Sequence, residues 1–192
     1  VSRYYMRIIL NIASMDAVGI AAMKTSQNDF FFGIEAEYCL LDNSTLKPLF
    51  YEDLPCETLL NALDAIEVND FSSEGFNIKP LHRKASPYLV EGYYLTDSQM
   101  KPYELLAKGI EVRTPLSRSI EGASVMLVEL TERLRCRMLE SGWALSSISH
   151  HPTRSNFKAA RNYKRTDYWQ WALTAMTTYG PDINISVPSM LI

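Results

Sequence analysis

The sequence has little of what most often announces a chemistry. It holds 3 cysteines and 3 histidines in 192 residues. Cys39, Cys56 and Cys136 are far apart, odd in number and without CxxC spacing, so they outline neither a disulfide framework nor a thiolate metal site. They read as reduced thiols of a cytoplasmic protein. Charge of one sign is not in excess either: the formal net charge is -3 and the isoelectric point lies near 5.7, which leaves out the basic footprint of nucleic-acid binding. Long hydrophobic runs are missing as well. The nearest to one, RIILNIASMDAVGIAAM at 7–23, is interrupted by Asp16 and is too short to span a bilayer. It has the rough outline of a secretory signal, but the plainer reading makes 1–22 an extension and places the fold within 23–192. Internal repeats and low-complexity tracts are absent.

What is present is an ordinary globular composition, 47% hydrophobic and 21% charged, enough for one domain with a substantial core. Its most informative stretch is FFGIEAEYCLL at 31–41. Aromatic and aliphatic residues predict a β-strand, in which successive side chains alternate between faces. Phe32, Ile34, Ala36, Tyr38 and Leu40 share one face. Glu35 and Glu37 share the other with Phe31, Gly33, Cys39 and Leu41, their carboxylates about 7 Å apart. Acids on a half-buried face must be paired, solvated or bound to a cation.

Downstream, DNSTLK at 42–47 is a turn cluster, and 54–66 has helix-like apolar spacing. VEGYYLTD and the stretch 103–114 predict strands around a turn at 97–102. The clearest helix follows. Ser117 or Ser119 caps it, Ile120, Ala123, Leu127, Leu130, Leu134 and Met138 form one apolar stripe, and Gly142 ends it. A strand is expected at 143–149, a polar connection at 150–161, a helix at 165–178 and a last strand in DINISVP. This order predicts an α+β fold with a largely antiparallel sheet and helices packed on one face.

Two later strands repeat the pattern of the first. In KGIEVRTP, Glu111 and Arg113 oppose Ile110 and Val112; in DINISVP, Asp182, Asn184 and Ser186 oppose Ile183, Ile185 and Val187. If the three strands are neighbours, Glu35, Glu37, Glu111, Asp182 and Asn184 meet on one acidic surface. Without a cation such a surface repels itself, so a divalent ion is expected there, and oxygen-only ligands suit Mg²⁺ or Mn²⁺. The competing reading is a merely solvated face of an antiparallel sheet.

Other candidates are weaker. His150 and His151 lie in a polar turn, His82 is isolated, and Arg154, Lys158, Arg161, Lys164 and Arg165 form a basic run that suits either phosphate or solvent. Tyr163, Tyr168, Trp169 and Trp171 read as packing, and Cys39 as strand interior.

Taken in order, GIEAEYCLLD at 33–42, IEVRTP at 110–115, SHHP at 149–152 and GPDINISVP at 180–188 resemble landmarks of the glutamate-cysteine ligase and carboxylate-amine ligase family. That resemblance implies a glutamine-synthetase-like catalytic fold, of which 23–192 would be the amino-terminal portion. It implies ATP and Mg²⁺ (or Mn²⁺) as cofactors, with a glutamate-like carboxylate and an amine as substrates. Glu35, Glu37 and Glu111 fall on the family's metal-associated acids, and Asp182 on a position where relatives commonly have His. Arg113 and Asn184 are the expected cofactor contacts, Arg113 equally suited to an acid partner. No residue is assigned as nucleophile or base, because the implied reaction activates the carboxylate as an acyl phosphate. Neither nucleic acid nor membrane is expected as a partner; homo-oligomerisation is left open, with the uncovered apolar face of the last strand favouring association. The alternatives are a catalytically incomplete binding or assembly module and a metal-dependent hydrolase.

Overall fold

A computed structural model of the chain describes residues 30–154 and 177–186. The extension at 1–22, most of the basic run, the aromatic cluster and the expected helix at 165–178, save its last two residues, lie outside the described residues. Those two are not helical: Thr178 forms an antiparallel bridge with His150. Among the described residues the elements run β1 (Phe31–Asp42), α1 (Cys56–Asp64), β2 (Tyr88–Thr96), β3 (Pro102–Arg113), α2 (Ile120–Glu140), β4 (Trp143–Ser146) and β5 (Pro181–Ser186). A short 3-10 turn at Tyr51–Asp53 was not legible in the sequence pattern. The fold is mixed α+β around an antiparallel sheet, as the order of elements predicts.

Strand β1 is the centre. The sheet order is β2-β3-β1-β4, and β5 pairs β1 as well. Glu35 has Arg113 across one edge and Asp182 across the other, so β5 and β3 flank the first half of β1. The second half pairs with β4 from Cys39 to Asp42. All of these pairings are antiparallel.

One face of this sheet forms the core. Leu40 of β1, Ile110 and Val112 of β3 and Tyr88 and Val90 of β2 pack with Leu59 and Leu63 of α1 and Leu130, Leu134 and Met138 of α2. These α2 positions belong to the predicted stripe, which spaces them to one side of a 3.6-residue helix. The helix starts where Ser119 accepts a hydrogen bond from the Gly122 amide at 3.0 Å, satisfying one of the free amides of the first turn. It closes before Gly142, whose φ of 86° suits a residue without a Cβ. Buried Tyr88 fixes helix to sheet by donating its hydroxyl to the Leu130 carbonyl at 2.9 Å.

The β2–β3 pairing breaks register once where it matters. Glu91 pairs with Gly109 but Gly92 pairs with Ala107, leaving Lys108 as the extra residue of a β-bulge. Strict alternation from Ile110 would send Lys108 into the apolar core and Ala107 to the opposite face. The bulge reverses both, so that Ala107 joins the core and the Lys108 ammonium reaches Glu37 on the other face. Backbones approach closely here. A Cβ on Gly92 would lie 2.0 Å from the Leu106 carbonyl oxygen, and one on Gly109 would lie 2.2 Å from that of Tyr38.

The bulge glycines therefore limit stability more than any helix cap. Gly92→Ala and Gly109→Ala are each expected to lower the unfolding free energy by roughly 3 kcal/mol or more, whereas Ser119→Ala should cost about 1 kcal/mol. Urea unfolding of the three variants checks the order. Glycine variants no less stable than Ser119→Ala would remove the bulge from this role.

Candidate functional site

The face of the sheet turned away from the helices carries the acids. Cross-strand register puts Glu37 directly opposite Glu111 and Glu35 opposite Arg113 on one edge of β1, with Asp182 opposite Glu35 and Asn184 opposite Gly33 on the other. Directly opposed residues project to the same side, so Glu35, Glu37, Glu111, Arg113, Asp182 and Asn184 share one surface.

Within that surface the acids are not equivalent. Carboxylate oxygens of Glu37, Glu91 and Glu111 lie within 4.8 Å of one another, and their side chains retain only 24%, 29% and 14% exposure. Glu91 joins from β2, where the pairing of Leu89 with Glu111 and of Glu91 with Gly109 turns it to this face. Of the four residues expected as metal ligands, two are in this triad. Glu35 stands beside it, close enough to act electrostatically on Glu91 and Glu111. Asp182 is exposed on β5, facing Glu35 rather than the triad.

Two cations pair with the acids directly, while Lys79 acts on Glu91 and Glu111 electrostatically. The Lys108 ammonium, almost wholly buried, donates to Glu37 Oε2 at 3.0 Å and to the Thr178 carbonyl at 2.8 Å, and stands 4.0 Å from Glu91 Oε1. The Tyr179 ring centroid is 5.2 Å from it. Arg113 serves the other end. Its Nε is 3.8 Å from Glu111 Oε1, while its two Nη groups donate to Asn77 Oδ1 at 3.1 Å and to the Ser86 carbonyl at 2.8 Å. Phe76 lies against the guanidinium. Arg113 thus fastens the 69–87 connection to the acidic face and stands beside an acid, the first of the two roles open to it.

Burial in this company disfavours negative charge. Glu111 is pushed up to about 8, by burial first and then by Glu91 and Glu35. Glu91 is pushed up to about 7; burial is again the main cause, opposed by Lys108 and reinforced by Glu37. Carboxyls held protonated near neutrality mainly by burial must give up a proton to take a cation. Three carboxylates from three strands, with oxygens within 4.8 Å of one another, would suit a hard divalent ion such as Mg²⁺ or Mn²⁺ better than a soft one.

The remaining candidates do other work. His82 accepts from the Val90 amide at 3.1 Å through Nε2, with Nδ1 at 3.0 Å from the Pro80 carbonyl, so it caps the outer edge of β2. Nδ1 of buried His151 accepts from the Thr153 and Arg154 amides, organising its own turn, and His150 Nε2 meets the Thr177 hydroxyl at 2.8 Å. Cys39 is fully buried, and burial pushes its thiol up, as befits strand interior rather than a nucleophile.

Glu91 and Lys108 are the residues that sequence reasoning passed over. Each stands beside a glycine inside a strand, the sequence mark of a bulge or close backbone approach. No protein-family model matches this chain and no curated protein aligns with it. Among the described residues no helix is long and apolar enough to cross a membrane.

The raised carboxyls have a signed consequence. In the native state Glu91 and Glu111 keep their protons above the ordinary value of 4.5, to about 7 and about 8. Between those limits the folded chain binds more protons than the unfolded one, so stability is fully present below about pH 4.5 and falls as pH rises toward 8. Urea midpoints measured from pH 5 to 8.5 should decline, and Glu111→Gln, which keeps the neutral shape, should flatten the decline. A midpoint that stays flat over this range in the wild-type chain would show that the triad is ionised throughout.

Proposed function

We propose that this chain is the metal- and nucleotide-binding portion of an ATP-dependent carboxylate-amine ligase with a glutamine-synthetase-like fold. The observation that carries the reading is the convergence of Glu37, Glu91 and Glu111 within 4.8 Å on a half-buried face. Support comes also from the ordered resemblance of the strands carrying Glu35, Glu37, Glu111 and Asp182 to that family's landmarks. The donor set fits the group: only oxygens, from three different strands, two of them raised in pKa and so ready to exchange a proton for a cation.

In this reading Glu37, Glu91 and Glu111 hold a Mg²⁺ or Mn²⁺ ion, and Glu35 keeps the surrounding potential negative. A bound divalent ion would supply neutralisation of the ATP phosphates and of charge developing on the transferred phosphoryl group. Asp182 and Asn184, on β5 opposite Glu35 and Gly33 and nearer solvent, would suit a second cation or polar groups of the nucleotide. Arg113 holds the 69–87 connection against the face and presents positive charge beside Glu111. The substrates would be a glutamate-like carboxylate, activated as its acyl phosphate, and the amine that displaces phosphate from it. Such an intermediate must be kept from water, which a half-buried face offers better than a solvated one.

Titration calorimetry with Mn²⁺ and with Mg-ATP tests the reading. Glu37→Gln, Glu91→Gln and Glu111→Gln should each weaken Mn²⁺ binding by tenfold or more, about 1.4 kcal/mol, with the fold retained because the neutral side chain is already tolerated at Glu91 and Glu111. Asp182→Ala should weaken Mg-ATP binding less than these, and Asp182→His should recover part of it with a shift toward metals that accept imidazole. Unchanged Mn²⁺ affinity in all three glutamine variants would leave the solvated-face reading in possession. Release of ADP that requires Mg²⁺, a carboxylate and an amine together marks the ligase; Mg-ATP binding without turnover marks a binding module, and hydrolysis without ATP a metal-dependent hydrolase.

A further inference from the structure

We propose that the outer edge of β5 pairs with β5 of a second copy of this chain, antiparallel and centred on Asn184, so that two sheets join into one. The proposal is independent of the metal and ligase reading above.

The backbone decides which groups that edge presents. In an antiparallel ladder alternate residues turn both N–H and C=O toward one neighbour, and the residues between them turn theirs the other way. The Gly180 carbonyl accepts from the Glu37 amide at 3.2 Å, so Gly180, Asp182 and Asn184 face β1 with their backbone groups. The other strand agrees: Phe32 and Ile34 turn theirs to the opposite edge of β1, toward Ser117 and Thr114. Pro181, Ile183 and Ile185 therefore direct theirs outward. Among the described residues β5 has β1 as its only neighbour in the sheet, and Pro181, with no N–H to offer, sits where an edge strand tolerates it. The side chains of Ile183 and Ile185, on the helix side of the sheet opposite Ile34 and Phe32, are 62% and 54% exposed. An open edge beside uncovered apolar side chains is a template for another strand.

The sequence of β5 complements itself. With Asn184 on a two-fold axis, Ile183 of one copy lies opposite Ile185 of the other; each exchanges both outward backbone groups, and the isoleucines of the two copies form one apolar row. On the acidic side Asp182 lies opposite Ser186 of the second copy and Asn184 opposite its own equivalent, so no like charges are opposed. Centring on Asp182 or on Ile183 is poorer. Either sets Pro181 opposite an isoleucine carbonyl to which it has no N–H to give, and the first also opposes Asp182 to itself. An isologous contact is used up by one second copy, so the association stops at a dimer whose two acidic faces run into one surface.

A contact made by a strand of 6 residues falls short of the standard interface of about 1,600 Å², so the dimer is reversible and is read from its concentration dependence. Sedimentation velocity of the full chain should show a monomer–dimer equilibrium. Ile185→Pro, which removes an outward N–H and leaves the ladder to β1 intact, and Ile183→Lys, which places charge on the edge, should each raise the dissociation constant by roughly tenfold or more. A chain still monomeric at about 100 µM overturns the proposal; slow hydrogen exchange at the Ile183 and Ile185 amides would then mean that another part of the same chain covers the edge, and fast exchange that it is left to a different protein. A dimer unweakened in both folded variants overturns it as well. Disulfide trapping tests the register and decides alone should those variants not fold. In a Cys56→Ser, Cys136→Ser background, Asn184→Cys should cross-link two copies at least about ten times faster than Ser186→Cys, because position 184 meets itself across a non-hydrogen-bonded pair, where Cα atoms approach to about 4.5 Å, and position 186 meets Asp182. Equal rates refute the pairing.

Discussion

Because β1 pairs along both edges, its pleat sets the two faces of the sheet for every neighbour. Once Ile34, Ala36 and Leu40 are buried, Glu35 and Glu37 have no choice but to point away from the core. The same register then brings Glu111 opposite Glu37, and Arg113 and Asp182 opposite Glu35. A slip of one residue would exchange the two faces, placing glutamates against Leu130 and Leu134. The acidic surface is therefore inseparable from the core: the hydrophobic burial that stabilises one side also enforces crowding of like charges on the other.

That crowding opposes folding, and the chain limits it with two directly paired cations of different chemistry. Arg113 spreads its charge over a planar fork, and its Nη groups are satisfied by Asn77 and the Ser86 carbonyl, so it serves as a fastening for the 69–87 connection as much as a partner for Glu111. Lys108 is a compact point charge delivered into the middle of the acids. Residual repulsion falls on Glu91 and Glu111, whose carboxyls are raised mainly because burial deprives them of water. Stability thus comes from the helix side of the sheet, and the acid side keeps a stored affinity for positive charge.

How much of this was legible depended on periodicity. β1 and α2 carry long unbroken patterns, and both stand where the alternation and the three-four spacing put them. The polar and apolar sides of β3 and β5 followed from the same rule, which is why Glu35, Glu37, Glu111, Asp182 and Asn184 were expected on one surface and lie on one. Glu91 was passed over because its strand, although read as the partner of 103–114 around the turn at 97–102, was not divided into two faces, and cross-strand register is a property that pattern alone does not carry. Lys108 was passed over for a sharper reason. Counting by twos from Ile110 assigns it to the core, and only the glycines at 92 and 109 betray the extra residue that cancels the count. The sequence also left open whether the acids were merely a wet surface. Half-burial of Glu37, Glu91 and Glu111 argues against that for the triad, while the exposure of Asp182 and Ser186 fits it at the β5 end.

This difference along β1 gives the surface a direction. At one end Cys39, Tyr93 and Tyr179 are buried, and the Tyr179 hydroxyl closes onto the Lys108 carbonyl at 3.0 Å, leaving the described residues packed against one another. At the other end Gly33 faces Asn184 across the strands and offers no side chain to fill the space above it. A ligand too large to sit among the triad carboxylates would meet them from the Gly33–Asp182 end, where the chain presents short polar side chains and bare backbone. A ligand approaching that way meets Asp182 and Glu35 together with Arg113, which is paired opposite Glu35, before it reaches Lys108 deeper among the acids. Acids and their paired cations thus alternate along β1 from the Gly33 end to the triad, which is the physical reason that metal and nucleotide are proposed here as one site rather than two.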